Sequence, residues 1–291
     1  MPLANRIIYK YRDDLYKIVT ILDNRPSDDL RTTCRSADEK TLDNIRRAAR
    51  MIEAYGLCNE WDYFVTLTLD PKKYDRMDID SFRKDFMQML RDVRKKSGSK
   101  VDALLVPELH HNEKGWHMHA LMSGLPLSEL RPFTLHERLS GYLIRKIKDG
   151  ATIYDWPRYR DRFGFCDVEP IGNRDAATRY IKKYITKGLD ATAKHLEIGK
   201  HLYFVTRGLN LPMEMERASN VHPLDALPSW LGPLSPESSY TWDYGAADWY
   251  KLTPQQVEYI TEHFQIASPE DNGSGREFAI GGENDGSCAP L

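Results

Sequence analysis

The sequence predicts a mixed α/β or α+β protein, and the alternation of its elements carries that reading. Runs rich in β-branched and aromatic residues alternate with stretches whose apolar residues recur at helical spacing. One strand-like pair encloses a turn and holds a His-x-His motif. Charge is segregated: residues 1–60 carry net +1, residues 61–207 net +7 and residues 208–291 net −10, although the 291-residue chain sums to −2. The middle is suited to a polyanion and the end is not.

The elements follow in chain order. A helix is expected from about Ala37 to Tyr55. Ser36 stands as N-cap with Glu39 three residues on, and Leu42, Ile45, Ala49 and Ile52 recur at helical spacing. Gly56 is read as its end. Tyr63 to Leu69 reads as a strand that stops at Asp70-Pro71. Asp80 to Lys96 reads as an amphipathic helix with Phe82, Phe86, Met89, Leu90 and Val93 on one side. Val101 to Leu121 reads as two strands around a turn, and Leu127 to Ile147 as mostly helical. Ala151 to Phe165 is irregular, basic and aromatic. Phe165 to Ile171 is a short strand, Asp175 to Lys187 a helix and Leu202 to Thr206 a short strand. Leu209 to Leu234 is rich in proline and loop residues. A short helix is expected near Thr253 to His263, and disorder from about Ser268. The domains are expected as a helical N-terminal extension over 1–60, a central domain over 61–211 and an acidic region over 212–291.

Several function classes are excluded at this level. No apolar run approaches the roughly 20 residues that span a bilayer, so no membrane partner is expected. The opening MPLANRIIYKYRDD has no apolar core of a secretory signal. Cys34, Cys58, Cys166 and Cys288 lie far apart with no CxxC pair, so they read as reduced thiols in a bacterial or host-cell cytoplasm. There is no GxxxxGK[ST] and no GxGxxG, so neither a P-loop nor a dinucleotide site is signalled.

The most informative stretch runs from Leu104 to Leu121. Asn112 to Gly115 is a turn signal between strand-like runs. With Asn112 paired to Gly115, His110 faces His117 and Glu108 faces His119. Period-2 alternation then puts Glu108, His110, His117 and His119 on one face, with Leu109, Trp116 and Met118 on the other. Two imidazoles and a carboxylate leave open positions for water and a phosphate oxygen, which suits a catalytic metal. Mixed imidazole–carboxylate ligation accepts Mn²⁺ at least as well as Mg²⁺.

A second constellation lies in the helix near Tyr180. At about 100° per residue, Tyr180, Lys183, Tyr184 and Lys187 fit an arc of about 100°. Ile181 and Ile185 form the adjoining buried edge, and Lys182 points away. Nearby ammonium groups are expected to favour the phenolates. Between the two constellations, Arg158, Arg160 and Arg162 alternate with Trp156 and Tyr159. Arginines on phosphates and aromatics stacked on bases are the expected DNA contacts there.

These residues resemble the rolling-circle replication initiators of the HUH endonuclease superfamily, nearest to phage and plasmid replication-associated proteins related to the filamentous-phage gene II product. Phe64 to Leu69 resembles the first motif, His117-Met118-His119 the second, and Tyr180-x-x-Lys183 with Tyr184-x-x-Lys187 the third. The resemblance runs from about Ser36 to Leu211. It implies an α+β fold with a five-stranded antiparallel sheet flanked by helices. It implies Mg²⁺ or Mn²⁺ on Glu108, His117 and His119, and no other cofactor. Tyr180 or Tyr184, aided by Lys183 and Lys187, would attack single-stranded or hairpin DNA at an origin and form a 5′-phosphotyrosine. No helicase box follows the third motif, so a separate helicase and polymerase are expected. A relaxase, a single-strand transposase, a DNA-binding module without catalysis and a zinc hydrolase are the competing readings.

Overall fold

A computed structural model describes residues 3–23, 37–109, 115–187, 202–222, 227, 230–231 and 234–264. The chain divides into two compact units, Met1–Ser36 with Asn210–Leu291, and Ala37–Leu209. This division differs from the expected boundaries after residues 60 and 211, because the chain's two ends share a sheet.

That first unit begins with β1 (Ala4–Arg12) and β2 (Leu15–Leu22), a tight hairpin where a helical extension was expected. Both runs are dense in Ile, Val and Tyr and flank Asp13-Asp14, which is the chemistry of strands around a turn. β10 (Met213–Val221) lies within the stretch read as loop-rich, and pairs with β1. β11 (Ser238–Trp242) and β12 (Gly245–Lys251) complete a five-stranded antiparallel sheet in the order β10-β1-β2-β12-β11. Ile8, Tyr16, Ile18 and Tyr250 pack with Val257 and Ile260 of a helix over Pro254–Phe264. That helix matches expectation, and Thr253 and Gln256 cap it reciprocally. The region from Ser268 lies outside the described residues.

The second unit opens with α1 (Ala37–Cys58). The helix runs through Gly56, where an end was expected. A Cβ on Gly56 would lie 2.4 Å from Thr178 Cγ2, so the glycine is there for a close helix–helix approach. Ser36 is outside the described residues. β3 (Tyr63–Thr68) and α2 (Ile79–Ser97) follow as expected. Asp78 caps α2 by accepting from Ser81 N, and Gly98, in the left-handed region at φ 75°, closes it. β4 (Asp102–Leu109) and β5 (Trp116–Ser123) form the central hairpin.

The stretch expected to be mostly helical is broken instead. It holds a 3₁₀ turn at Leu127–Glu129, β6 (Arg131–Pro132) and α3 (Gly141–Lys148). Pro126 and Pro132 interrupt it, and Ser140 caps α3 by accepting from Leu143 N. The stretch expected to be irregular forms β7 (Tyr154–Asp155) and α4 (Pro157–Arg162). β8 (Cys166–Pro170), α5 (Arg174–Lys187) and β9 (Phe204–Val205) close the unit. The sheet is antiparallel in the order β6-β7-β8-β3-β5-β4-β9, seven strands rather than five, three of them only two residues long. Both sheets are antiparallel and the helices pack on them, so the fold is α+β.

Two cores flank this second sheet. On one side Val65, Leu67, Leu105, Met118 and Ala120 meet Phe82, Phe86, Trp156, Tyr159 and Phe163. On the other, Leu104, Val106 and Leu121 meet Ile45, Ala48, Ala49 and Ile52 of α1 and Ile181 of α5. The second side carries the candidate site.

Candidate active site

The β4–β5 register decides which groups meet. Leu109 pairs with Trp116, Glu108 with His117 and Val106 with His119. The offset is two residues from the expected one, so Glu108 stands directly across from His117 rather than His119. A shift of two keeps every side chain on its face. Glu108, His117 and His119 therefore share the α5 side, while Leu109, Trp116 and Met118 are buried on the other. His110 lies outside the described residues.

Glu108 reaches diagonally to His119. Its Oε2 lies 2.9 Å from His119 Nε2. His119 is 7% exposed, and its Nδ1 is buried with no hydrogen-bond partner among the described residues. His117 Nδ1 lies 3.1 Å from Thr68 Oγ1 on β3. Thr68 and Thr66 pair with His117 and His119, so the first motif supplies polar groups beneath both imidazoles. Thr68 escaped the sequence reading, although alternation in Tyr63-Phe64-Val65-Thr66-Leu67-Thr68 separates Thr66 and Thr68 from the apolar Val65 and Leu67.

The donor set suits a divalent ion: two imidazoles and one carboxylate on adjacent strands, with one buried ring nitrogen left unsatisfied. Among the described residues, however, no three His, Cys, Asp or Glu side chains gather around a common point. His117 is turned toward Thr68, and Glu108 is taken up by His119.

α5 brings both tyrosines onto this group. Gly56 and Thr178 let α5 lie close to α1, and Lys182 is bound to Glu53 of α1 at 2.5 Å. Lys182 thus points away from the site, as its helical angle requires. Tyr184 stacks on His119 with ring centroids 3.6 Å apart and planes 17° from parallel. Its hydroxyl donates to the Tyr180 hydroxyl at 2.7 Å. Tyr180 is 47% exposed and packs edge-on against Phe64 at 5.2 Å. Phe64 also lies 5.9 Å from His119, so it wedges between the second and third motifs.

The electrostatics of Tyr184 reverse the expectation of a stabilised phenolate. Burial comes first, then the bond to Tyr180 and the nearby Tyr180, Glu108 and Tyr142, and together they raise its pKa well above that of a free phenol. Lys183 is exposed on α5. Lys187 ends the helix, and its side chain and Gly188 lie outside the described residues.

On β8, Asp167 pairs with Thr66 and shares this face. Its carboxyl is pushed up to about 7, first by burial and then by Glu169, against the Thr66 hydroxyl and Lys146. Sequence reasoning missed this group, which carries no motif.

The expected DNA-contacting stretch is placed elsewhere. Trp156 and Tyr159 are fully buried in the core on the opposite side of the sheet, so neither offers a ring to a base. Trp156, Tyr159 and Phe163 recur at i, i+3 and i+7, the spacing of a helix face turned inward. Arg158 binds Glu129 at 2.7 Å, Arg160 binds Asp155, and Arg162 lies 3.4 Å from Asp85. These guanidiniums brace the core cover. The structure brings together Glu108, His117, His119, Tyr180 and Tyr184, and leaves Arg158, Arg160, Arg162, Trp156 and Tyr159 apart from them.

No helix among the described residues is long and apolar enough to cross a membrane. Residues 62–189 match the family model described as replication-associated protein ORF2/G2P. The matched stretch contains the histidine hairpin and the tyrosine helix, and it supports a role in replication. Neither the curated proteins nor the solved structures yield a match.

Proposed function

We propose, with the replication-associated match of residues 62–189 as premise, that this protein starts replication by nicking and rejoining single-stranded DNA through a tyrosine. The observation that supports this reading most is the contact between motifs. Tyr184 lies on the His119 ring, and His119 is bonded to Glu108. Two phenols, two imidazoles and a carboxylate on one face are the groups that phosphoryl transfer by tyrosine requires.

In the proposed reaction a tyrosine oxygen attacks the scissile phosphorus. The P–O3′ bond breaks, a 5′-phosphotyrosine forms, and the departing oxygen takes a proton to become the 3′-hydroxyl that primes synthesis. The second tyrosine resolves the product by repeating the transfer. Each step exchanges one phosphodiester for another, so no nucleotide triphosphate is consumed. His117, His119 and Glu108 would hold Mg²⁺ or Mn²⁺, which when bound would supply Lewis-acid polarisation of the phosphate. Thr68 orients the His117 ring through Nδ1, and Nε2 is the nitrogen that would remain for an ion. Tyr180, the more exposed phenol, meets the strand first, and the Tyr184 hydroxyl supports it from behind.

The test is incubation with a labelled single-stranded origin library and Mn²⁺, followed by denaturing gels. A covalent protein–DNA adduct mapping to Tyr180 or Tyr184, and abolished by His119→Ala, is expected. Binding without any adduct would reduce the protein to a DNA-binding module.

A further inference from the structure

We infer that a single DNA strand entering the tyrosine site runs along α3, where Tyr142 stacks on a base and Arg145 and Lys148 meet phosphates; this rests on the proposed nicking function. Tyr142 is a large aromatic residue 55% exposed, comparable to Tyr180. An exposed aromatic ring of this size is available to stack on a base. Tyr142 is tied to the site through β8. Its hydroxyl donates to Glu169 Oε1 at 3.4 Å. Glu169 is the β8 partner of Phe64, and Phe64 packs on Tyr180. Tyr142 is thus linked through Glu169 to the strand position of Phe64, and Phe64 to Tyr180.

The helix beneath Tyr142 is firmly held. Leu143 and Ile147 pack with Phe133, Ile153 and Phe165, which fixes the opposite side of α3. At about 100° per residue, Tyr142, Arg145 and Lys146 then fall within an outward arc of about 100°. Lys146 Nζ sits 4.7 Å over the Tyr142 ring and is tethered by Glu169. An exposed ring with cations on the same helix offers the two contacts that single strands use, stacking and backbone neutralisation. Arg145 and Lys148 are exposed and, among the described residues, bound to no carboxylate. The contrast with α4 decides the path. There each arginine is spent on Glu129, Asp155 or Asp85, and both aromatics are buried.

The experiment measures affinity of the full chain for a fluorescently labelled single-stranded oligonucleotide by anisotropy, over a range of salt. Tyr142→Ala is expected to weaken binding roughly tenfold, the loss of one stacked base. Tyr142→Phe, which keeps the ring and drops the Glu169 bond, should bind like wild type. Arg145→Ala with Lys148→Ala should flatten the salt slope by about 0.7 for each phosphate no longer neutralised. Thermal melting of each variant should match wild type, because all three side chains are exposed. Wild-type affinity in Tyr142→Ala, or an unchanged salt slope in the double variant, would overturn the path. A wild-type chain that binds strands through Tyr142 but forms no adduct would overturn the nicking function and leave the path standing.

Discussion

The pair Tyr180 and Tyr184 gives the sharpest prediction, because the structure makes them unequal. Tyr184→Phe keeps the ring stacked on His119 at 3.6 Å and removes only the 2.7 Å hydroxyl bond to Tyr180. One neutral hydrogen bond contributes about 0.5–1.5 kcal/mol net. At about 1.4 kcal/mol per tenfold, adduct formation at Tyr180 should slow by roughly two- to tenfold. Tyr180→Phe is a heavier loss. The remaining phenol is half-buried, lies flat on an imidazole and is held in its protonated form by burial. Attack from it requires the ring to leave His119, where an aromatic pair is worth about 0.5–1.5 kcal/mol beyond its area. The rate should therefore fall more than in Tyr184→Phe. The double variant should form no adduct. The assay is a single-turnover time course on a labelled nicking substrate with Mn²⁺, with the modified tyrosine mapped by mass spectrometry. If Tyr184→Phe were inactive while Tyr180→Phe matched wild type, the exposed phenol would be a packing residue and the order argued here would be reversed.

Other perturbations test the frame around that pair. Gly56→Ala places a methyl 2.4 Å from Thr178 Cγ2 in a closed helix contact and should destabilise the protein by about 1–2 kcal/mol in denaturant melts, with Thr178→Ala recovering most of it. Asp167, whose folded carboxyl titrates near 7 against about 4 unfolded, keeps its proton while the unfolded chain loses one. Its contribution to stability is therefore lost between about pH 4 and 7, by a few kcal/mol at most, and is constant above. Asp167→Asn should gain on wild type across that window in urea melts at stepped pH, and a pH-independent difference would refute the assignment. Glu108→Ala should raise the Mn²⁺ concentration needed for half-maximal adduct formation and be partly rescued by excess metal, whereas an unchanged requirement would remove Glu108 from the ion site. Arg158→Ala, Arg160→Ala and Arg162→Ala together should lower the melting temperature by breaking pairs with Glu129, Asp155 and Asp85, yet leave the salt slope of DNA binding unaltered.

Face parity was legible in the sequence because it depends only on alternation along each strand. The pairing offset was not. Asn112 to Gly115 signals a turn but does not count its residues, so the pairing of Glu108 with His117 could not be read from it. The arc on α5 was legible for the same reason as the hairpin face. What a tyrosine on that arc would touch was not, since the stack on His119 arises from how α1 and α5 pack through Gly56 and Thr178. The arginines near Tyr159 were misread because composition reports which residues are present and not which way a six-residue helix turns. The hairpin of β1 and β2 carried clear strand chemistry, but its partners lie in β10 and β12, far along the chain.

That distance has a consequence in time. As the chain is made, β1 and β2 emerge well before the strands that flank them, which begin at Met213 and Gly245. At about 5–20 residues per second, the hairpin waits roughly 10–40 s for its neighbours. A lone two-stranded ribbon is marginal and presents two bare edges to other nascent chains. Arg6 and Lys10, buried to 6% and 4% exposure in the finished sheet, put charges on one face of β1 and work against its pairing with a foreign strand during that interval. The segment from Ala37 to Leu209 is complete before β10 is made and can close around β4 and β5 on its own schedule. A chain made only as far as Leu209 would hold β1 and β2 paired with each other but without β10 and β12 beside them.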